Sequence, residues 1–384
     1  MKDRIYLDHA ATTPLSQAVL QTMMPFLTEC FGNASAVYGT GREARKAVEL
    51  ARRQTAEVLG AEPRDILFTS GGSESDNLAV KGTAFAMREK GRHIITTAIE
   101  HQAVLNPCRW LEKQGFEVTY LMPDREGRID PELVRRQIRG DTILISVMAA
   151  NNEIGTIEPV AEIGNIAREA GVIFHTDAVQ AVGSIPVDVN RLNVDLLSLS
   201  AHKIHGPKGT GALYIRRGTR LDPLIHGGEQ ERGLRAGTEN TAGIAGLGRA
   251  IHDAAEQLEE NAKTVKRLRD RLKEGILREI PGASINGPED SRLPNNLNVR
   301  FDGIDGEALL LRLDLEGIAA SSGSACTAGS TEISHVLKAV GLNGQEARSS
   351  LRLTVGKENT EGEMDETIRI LKYITEDLRR MFGN

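Results

Sequence analysis

The sequence predicts an α/β fold, in which a large, mostly parallel sheet covered by helices is followed by a smaller α+β section. Three observations carry this prediction. Between about Arg42 and Ile215, short runs of β-branched and other apolar residues alternate with amphipathic runs, the pattern of successive βαβ units. Polar or glycine-containing turns follow several of the apolar runs. From about Thr241 the alternation gives way to long helical runs with few short apolar segments between them.

The strand candidates, in order, are Ile66–Thr69, His93–Ala98, Val118–Met122, Thr142–Met148, Val172–Thr176, Val194–Leu199 and Ala212–Ile215. Helices are expected over Arg42–Leu59, Glu74–Lys90, Pro131–Ile138 and Val160–Ala170, where apolar residues recur at intervals of three and four. A long helical pattern from Thr241 ends at the turn signal Pro281-Gly282. Short strands are then expected near Leu297–Phe301, a helix over Gly306–Leu315, and a closing amphipathic helix over Glu363–Met381. A chain of 384 residues, 40% of them hydrophobic, is long enough to bury a large core and to form two compact units.

Composition narrows the function. No run of roughly 18 apolar residues is present, and the start Met1-Lys2-Asp3-Arg4-Ile5-Tyr6 lacks the apolar segment of a secretory signal, so the cytoplasm is the expected compartment. The net charge of −6 provides no general attraction to nucleic acid or to acidic membrane surfaces. One basic cluster, Lys263, Lys266, Arg267, Arg269, Arg271 and Lys273, follows the acidic Glu256, Glu259 and Glu260 and reads as the solvated face of a helix with paired charges. Three cysteines, Cys30, Cys108 and Cys326, argue against a disulfide framework and a clustered metal site. A cysteine that matters here acts as a thiol. Cys30 and Cys108 have apolar neighbours and are expected to be structural, whereas Cys326 lies in the small-residue loop Ala319–Ser330.

In open parallel sheets, ligands bind beyond the carboxyl ends of the strands. Thr69-Ser70-Gly71-Gly72-Ser73 follows one predicted strand and opens a helix, with Ser73 and Asp76 spaced like a capping pair. Glycines before a helix N-terminus let backbone N–H groups approach a phosphate. His101, Asn151-Asn152-Glu153, Asp177 with Gln180, and Ser200-Ala201-His202-Lys203 follow four further strands. Singly, each has an ordinary reading as a turn former, a surface cation or a core imidazole. Together, a phosphate cradle, an aspartate, a lysine and an imidazole are the parts that hold and tune pyridoxal phosphate (PLP).

Tyr6-Leu7-Asp8-His9-Ala10-Ala11-Thr12-Thr13-Pro14, Ser70-Gly71-Gly72-Ser73-Glu74-Ser75-Asp76-Asn77, Asn151-Asn152-Glu153-Ile154-Gly155, His175-Thr176-Asp177-Ala178-Val179-Gln180, Ser200-Ala201-His202-Lys203, His226-Gly227-Gly228, Ser321-Ser322-Gly323-Ser324-Ala325-Cys326-Thr327 and Leu351-Arg352-Leu353 occur in this order. On these stretches the chain resembles the cysteine desulfurases of the NifS/IscS-like branch of the class V aminotransferases. The resemblance implies a fold type I PLP-dependent transferase. A large PLP-binding α/β domain would span residues 15–260, and a small α+β domain would combine residues 1–14 and 261–384 and carry the Cys326 loop.

It further implies that Lys203 binds PLP covalently, Asp177 meets the ring nitrogen, Gln180 and Asn152 lie near the phenolic oxygen, and His101 stacks over the ring. Gly72, Ser73, Ser200 and His202 would hold the phosphate, with Thr238 reaching the phosphate of a neighbouring subunit, hence a homodimer. Arg352, supported by Asn33, would bind the carboxylate of L-cysteine. Lys203 would move the Cα proton, His101 would exchange protons, and the Cys326 thiolate would take the sulfur as a persulfide, leaving L-alanine. A protein sulfur acceptor follows, such as an iron–sulfur scaffold or a tRNA-thiolation enzyme. The stretch Gly32-Asn33-Ala34-Ser35-Ala36-Val37-Tyr38 departs from the family's Gly-Asn-Pro-Ser-Ser-x-His, and Ser73 and Thr354 are conservative replacements for threonine and serine. Two other readings stand beside this one: a different PLP enzyme of the same fold, against which the loop cysteine speaks, and a non-catalytic sulfur-transfer scaffold, against which Lys203 and Asp177 speak.

Overall fold

A computed structural model describes residues 4–322 and 333–382. Among them the strands are, in chain order, β1 (Ile5–Tyr6), β2 (Ile66–Thr69), β3 (His93–Thr97), β4 (Glu117–Leu121), β5 (Thr142–Ser146), β6 (Ile173–Asp177), β7 (Leu196–Ser200), β8 (Gly211–Ile215), β9 (Ala283–Ile285), β10 (Asn296–Phe301), β11 (Ile318–Ala319) and β12 (Ser350–Thr354). Seven of them form one sheet in the order β2-β8-β7-β6-β5-β3-β4. Only β8 runs against its neighbours, so the other six strands point the same way. Strands β2, β3, β5, β7 and β8 are buried along their whole length, which explains their near-continuous apolar character: helices cover both faces of the sheet.

All seven strands expected from the sequence are present in this sheet. The helices Gly39–Leu59, Pro131–Gln137 and Val160–Ala170 also match their expected positions, because each presents an apolar stripe to the sheet. The helical run after β2 extends from Gly72 to Met87 and contains a π turn over Leu78–Gly82. Four helices were not expected: Gln17–Thr28 and Gln102–Glu112, each with a proline inside it, Pro25 and Pro107, which weakens the sequence signal, and the short His335–Ala339 and Gly344–Arg348. The long pattern from Thr241 resolves into two helices, Thr241–Glu256 and Leu258–Glu279, meeting at the non-helical Gln257.

Two large apolar clusters organise the chain. The first includes Phe68, Ile145, Phe174 and Leu197 from the seven-stranded sheet. The second joins Leu7 to Leu272, Phe301, Leu351 and Leu371 around the antiparallel sheet β9-β10-β12. Residues 5–13 lie at this second core although they come first in sequence: β1 pairs in parallel with β11, and the Ala10 N–H donates to Thr354 Oγ1 at 2.9 Å. The basic face of Leu258–Glu279 is paired as expected, with Lys263 to Glu259 (2.7 Å), Arg271 to Asp365 (2.7 Å) and Lys273 to Glu289 (3.0 Å). No helix among the described residues is long and apolar enough to cross a membrane.

Candidate active site

The carboxyl ends of β2, β3, β5, β6 and β7 open into one cavity of about 750 Å³. Gly72, Ser73, His101, Asn152, Asp177, Gln180, Ser200, His202, Lys203 and Arg352 all line it. The sequence therefore located ten of the residues that meet here, contributed by both sheets. Asn33 and Thr238 are exposed and do not line this cavity. Cys326 lies outside the described residues.

At the β2 end, the chain turns through Gly71 at φ +149°, a conformation open only to glycine. Gly72 is required by packing, since a Cβ there would stand 2.7 Å from Val179 Cγ2. The expected capping pair of Ser73 and Asp76 does not form. Gly71 is the N-cap and no side chain caps this helix; Glu74 Oε2 accepts from the Ser70 N–H at 2.8 Å while Arg235 holds its Oε1 at 2.9 Å, and Asp76 turns into the protein with 1% exposure. The main-chain turn and the hydroxyls of Ser73 and Ser200 make this end of the cavity a site for an anion.

Lys203 closes a single 3₁₀ turn directly after β7. Its Nζ donates to the carbonyls of Ala10 at 2.5 Å and Ala11 at 2.7 Å, and Gln180 Nε2 donates to the same Ala10 carbonyl at 3.0 Å. Residues 10 and 11 thus form one wall. His202 Nδ1 meets Thr12 Oγ1 at 3.1 Å; burial first, then Lys203 and Lys208, push its imidazole down to about 4, so it is neutral at physiological pH.

Asp177 ends β6 with 5% exposure, its Oδ1 accepting from the Val179 N–H at 2.9 Å. Burial raises its carboxyl above the usual range, while His101, the Val179 N–H and Lys203 pull in the opposite direction. His101 is the N-cap of Gln102–Glu112, and its Nδ1 accepts from the Ala103 N–H at 3.1 Å. That bond fixes the tautomer, placing the proton of the neutral ring on Nε2. Arg352, in β12, is 2% exposed; its Nη2 bonds Asp8 Oδ1 at 2.8 Å and its Nη1 bonds the Asn152 carbonyl at 3.0 Å.

Asp8 and Asp76 are two residues whose place at the site the sequence reading did not anticipate, Asp76 having been read as a helix cap. Both stand inside quoted motifs, but Asp8 acquires its role through a partner 344 positions away and Asp76 through burial. Cys108 is buried as expected, and burial pushes its thiol up to about 12, which removes it as a nucleophile. Cys30 is only partly buried; desolvation and Glu43 raise its thiol. The one metal-type grouping among the described residues, His252, Asp253 and Glu256, lies away from this cavity, with Asp253 already paired to Arg249 at 2.7 Å.

An amine, a neutral imidazole, a buried carboxylate and an anion cradle in one cavity suit chemistry on an amine-bearing carbon, with Arg352 available to orient a carboxylate. The comparisons agree in kind. The family model described as aminotransferase class-V matches residues 5–366. A cysteine desulfurase IscS from Methanosarcina thermophila is 55% identical over 377 residues, covering 98% of this chain and 93% of that protein. A solved structure titled NifS-like protein superposes with a TM-score of 0.91 at 42% identity, covering 98% of this chain and 100% of the other. A second, SspA in complex with cysteine, gives 0.83 at 42% identity over 93% of this chain and 100% of the other.

Proposed function

The chain belongs to the class-V aminotransferase family and is a cysteine desulfurase, and on that premise we propose which of its residues carry the conversion of L-cysteine to L-alanine. The observation that carries the proposal is the convergence of the Lys203 amine, the Asp177 carboxylate and the Gly72-Ser73 turn in one cavity. This donor set fits PLP: Gly72, Ser73, Ser200 and the neutral His202 suit its phosphate, Asp177 its ring nitrogen, Gln180 and Asn152 its phenolic oxygen, and Lys203 its aldehyde carbon. His101 suits the ring face. When bound, PLP supplies a sink for the electron pair released at Cα of the substrate.

Each side chain then has one task. Arg352, its guanidinium plane set by Asp8 and the Asn152 carbonyl, binds the substrate carboxylate and so orients Cα. The Lys203 amine takes the Cα proton. Asp177, buried but with its anion favoured by the Val179 N–H and Lys203, would hold the positive charge of a protonated ring nitrogen. His101, with its proton on Nε2, donates to the reacting groups and regains a proton afterwards. Cys326 attacks the substrate sulfur as a thiolate: an S–S bond forms, the substrate Cβ–S bond breaks, and protonation at Cβ followed by return of a proton to Cα yields alanine.

The finer statements belong to the same proposal. The chain divides into a large domain over residues 15–260 and a small one made of 1–14 and 261–384. It works in the cytoplasm as a homodimer that passes sulfur to a protein acceptor, an iron–sulfur scaffold or a tRNA-thiolation enzyme. Support for the dimer comes from the exposure of Thr238 and Asn33 outside their own cavity and from exposed Phe31 (77%) and Val37 (85%) beside Asn33. The test is direct. The purified protein should be yellow, bleach with hydroxylamine, and release alanine from cysteine; a colourless protein that releases none overturns the assignment.

A further inference from the structure

The steps above leave two buried acids in the cavity wall without a task, Glu153, which accepts from the Ser334 hydroxyl, and Asp76. Asp76 lines the cavity with Asp177, and both carboxyl groups are almost wholly removed from solvent, at 1% and 5% exposure. The groups facing Asp76 come from two strands and the turn after β3: Asp177 and His175 from β6, Ser198 from β7, and Glu100. Among the described residues, the basic side chain within ion-pairing distance of Asp76 is His175, its Nε2 3.6 Å from Oδ1. That imidazole supplies no charge. Its ring nitrogens meet the hydroxyls of Ser146 at 2.8 Å and Ser198 at 3.0 Å, and complete burial pushes it down to about 3. Asp76 Oδ1 has no hydrogen-bond partner among the described residues. A buried carboxylate without a cation takes up a proton in preference to remaining charged.

We propose that Asp76 is a positioning residue that carries a proton in the working enzyme, so that the Asp76 and Asp177 pair presents a single negative charge, on Asp177. The role toward the cofactor rests on the PLP reading above; the protonation of Asp76 does not. Burial raises the Asp76 carboxyl well above the usual range, and repulsion from Asp177 and then Glu100 adds to it, against a smaller opposing effect of Ser198. Asp177 is raised by burial as well, but it faces His101, the Val179 N–H and Lys203, which favour its anion. Of two coupled acids, the one beside a cation, here Lys203, ionises first. One charge in this wall matches the one positive charge of a protonated ring nitrogen. A second would be left without a partner in a dry site.

The test compares the full-length, PLP-loaded wild type with Asp76→Asn, which keeps the shape and removes the acid. Infrared difference spectra at neutral pH should show the carbonyl band of a protonated carboxyl in the wild type that is missing in Asp76→Asn. The melting temperature of the variant should gain on the wild type as pH rises, because a carboxyl raised in the folded state loses stability between its unfolded value of about 3.9 and its folded value. The alkaline change in PLP absorbance should move down by about one pH unit, tenfold in proton activity, because the second negative charge that would hold the proton on the cofactor cannot form in the variant. Should Asp76→Asn fail to fold, Asp76→Ser permits the same subtraction. An unchanged carbonyl band, or a variant whose stability deficit is the same at every pH, overturns the proposal. A colourless wild type would overturn the PLP reading instead, and the infrared and melting measurements would still decide the state of Asp76.

Discussion

Replacing Arg352 by alanine should damage substrate binding and stability together, in proportions set by its two protein contacts. The guanidinium is 2% exposed and holds Asp8 at 2.8 Å and the Asn152 carbonyl at 3.0 Å. A hydrogen bond to a charged group contributes roughly 1.5–3 kcal/mol, so loss of the substrate carboxylate contact should weaken cysteine binding by roughly 10- to 150-fold. Breaking a buried ion pair from one side costs about 3–5 kcal/mol; the Asp8 side chain keeps 17% exposure, which places the stability loss at or below the bottom of that range, about 3 kcal/mol. Asp8→Asn separates the two effects, since it removes the ion pair and leaves the guanidinium. It should lower the melting temperature and keep cysteine affinity within a few-fold. Arg352→Lys restores the charge but not the planar fork and should recover part of the affinity only. The assay is titration of PLP absorbance with cysteine, beside thermal melts of each variant. If Arg352→Ala stays folded and binds cysteine as the wild type does, or loses PLP while its cysteine affinity is normal, Arg352 is a structural residue and the reasoning fails.

Lys203→Ala should lose the visible absorbance of bound PLP and all cysteine turnover, and full activity in that variant would sink the cofactor assignment. Cys326→Ser should keep PLP and the spectral response to cysteine while alanine release falls to near background; mass spectrometry mapping the wild-type persulfide to Cys30 or Cys108 would refute the loop assignment. Glu158 is a pH probe remote from the chemistry: burial raises its carboxyl to about 8, against a backbone N–H from Ile129 at 2.9 Å. Its raised value means that stability present below about 4.5 is lost as pH climbs towards 8, so Glu158→Gln should melt higher than the wild type at pH 8 and gain little at pH 5. A constant difference across that range would place the effect elsewhere.

The seven strands of the main sheet were legible because each is short, buried and bounded by polar turns, and their carboxyl ends named most of the cavity. What escaped was long-range or irregular. The helix Gln17–Thr28 carries Pro25 and four partly or largely exposed residues, Met23, Met24, Phe26 and Leu27, so its apolar spacing points to no clear face. Asp76 has the spacing of a cap and the burial of a core residue, and only the packing of β6 and β7 against it decides between them. The pairing of Asp8 with Arg352 has no local signal at all. Cys326 was read from composition and family likeness, and that reading awaits the persulfide map.

The wall made by residues 8–12 has a consequence for biosynthesis. Asp8 waits for Arg352, and the Ala10 N–H for the Thr354 hydroxyl, so bonds that shape the Lys203 wall join the first segment translated to almost the last. The seven-stranded sheet can condense while the chain is still being made, but at about 5–20 residues per second the roughly 140 residues from β8 to Thr354 take about 7–28 s more to be made. During that interval the nascent protein has the sheet and Lys203 without the long-range bonds that fix the wall around its amine. The closing of this long-range contact is therefore a post-translational event and should be a slow step in refolding, since loop closure across 344 residues precedes any gain from the contact.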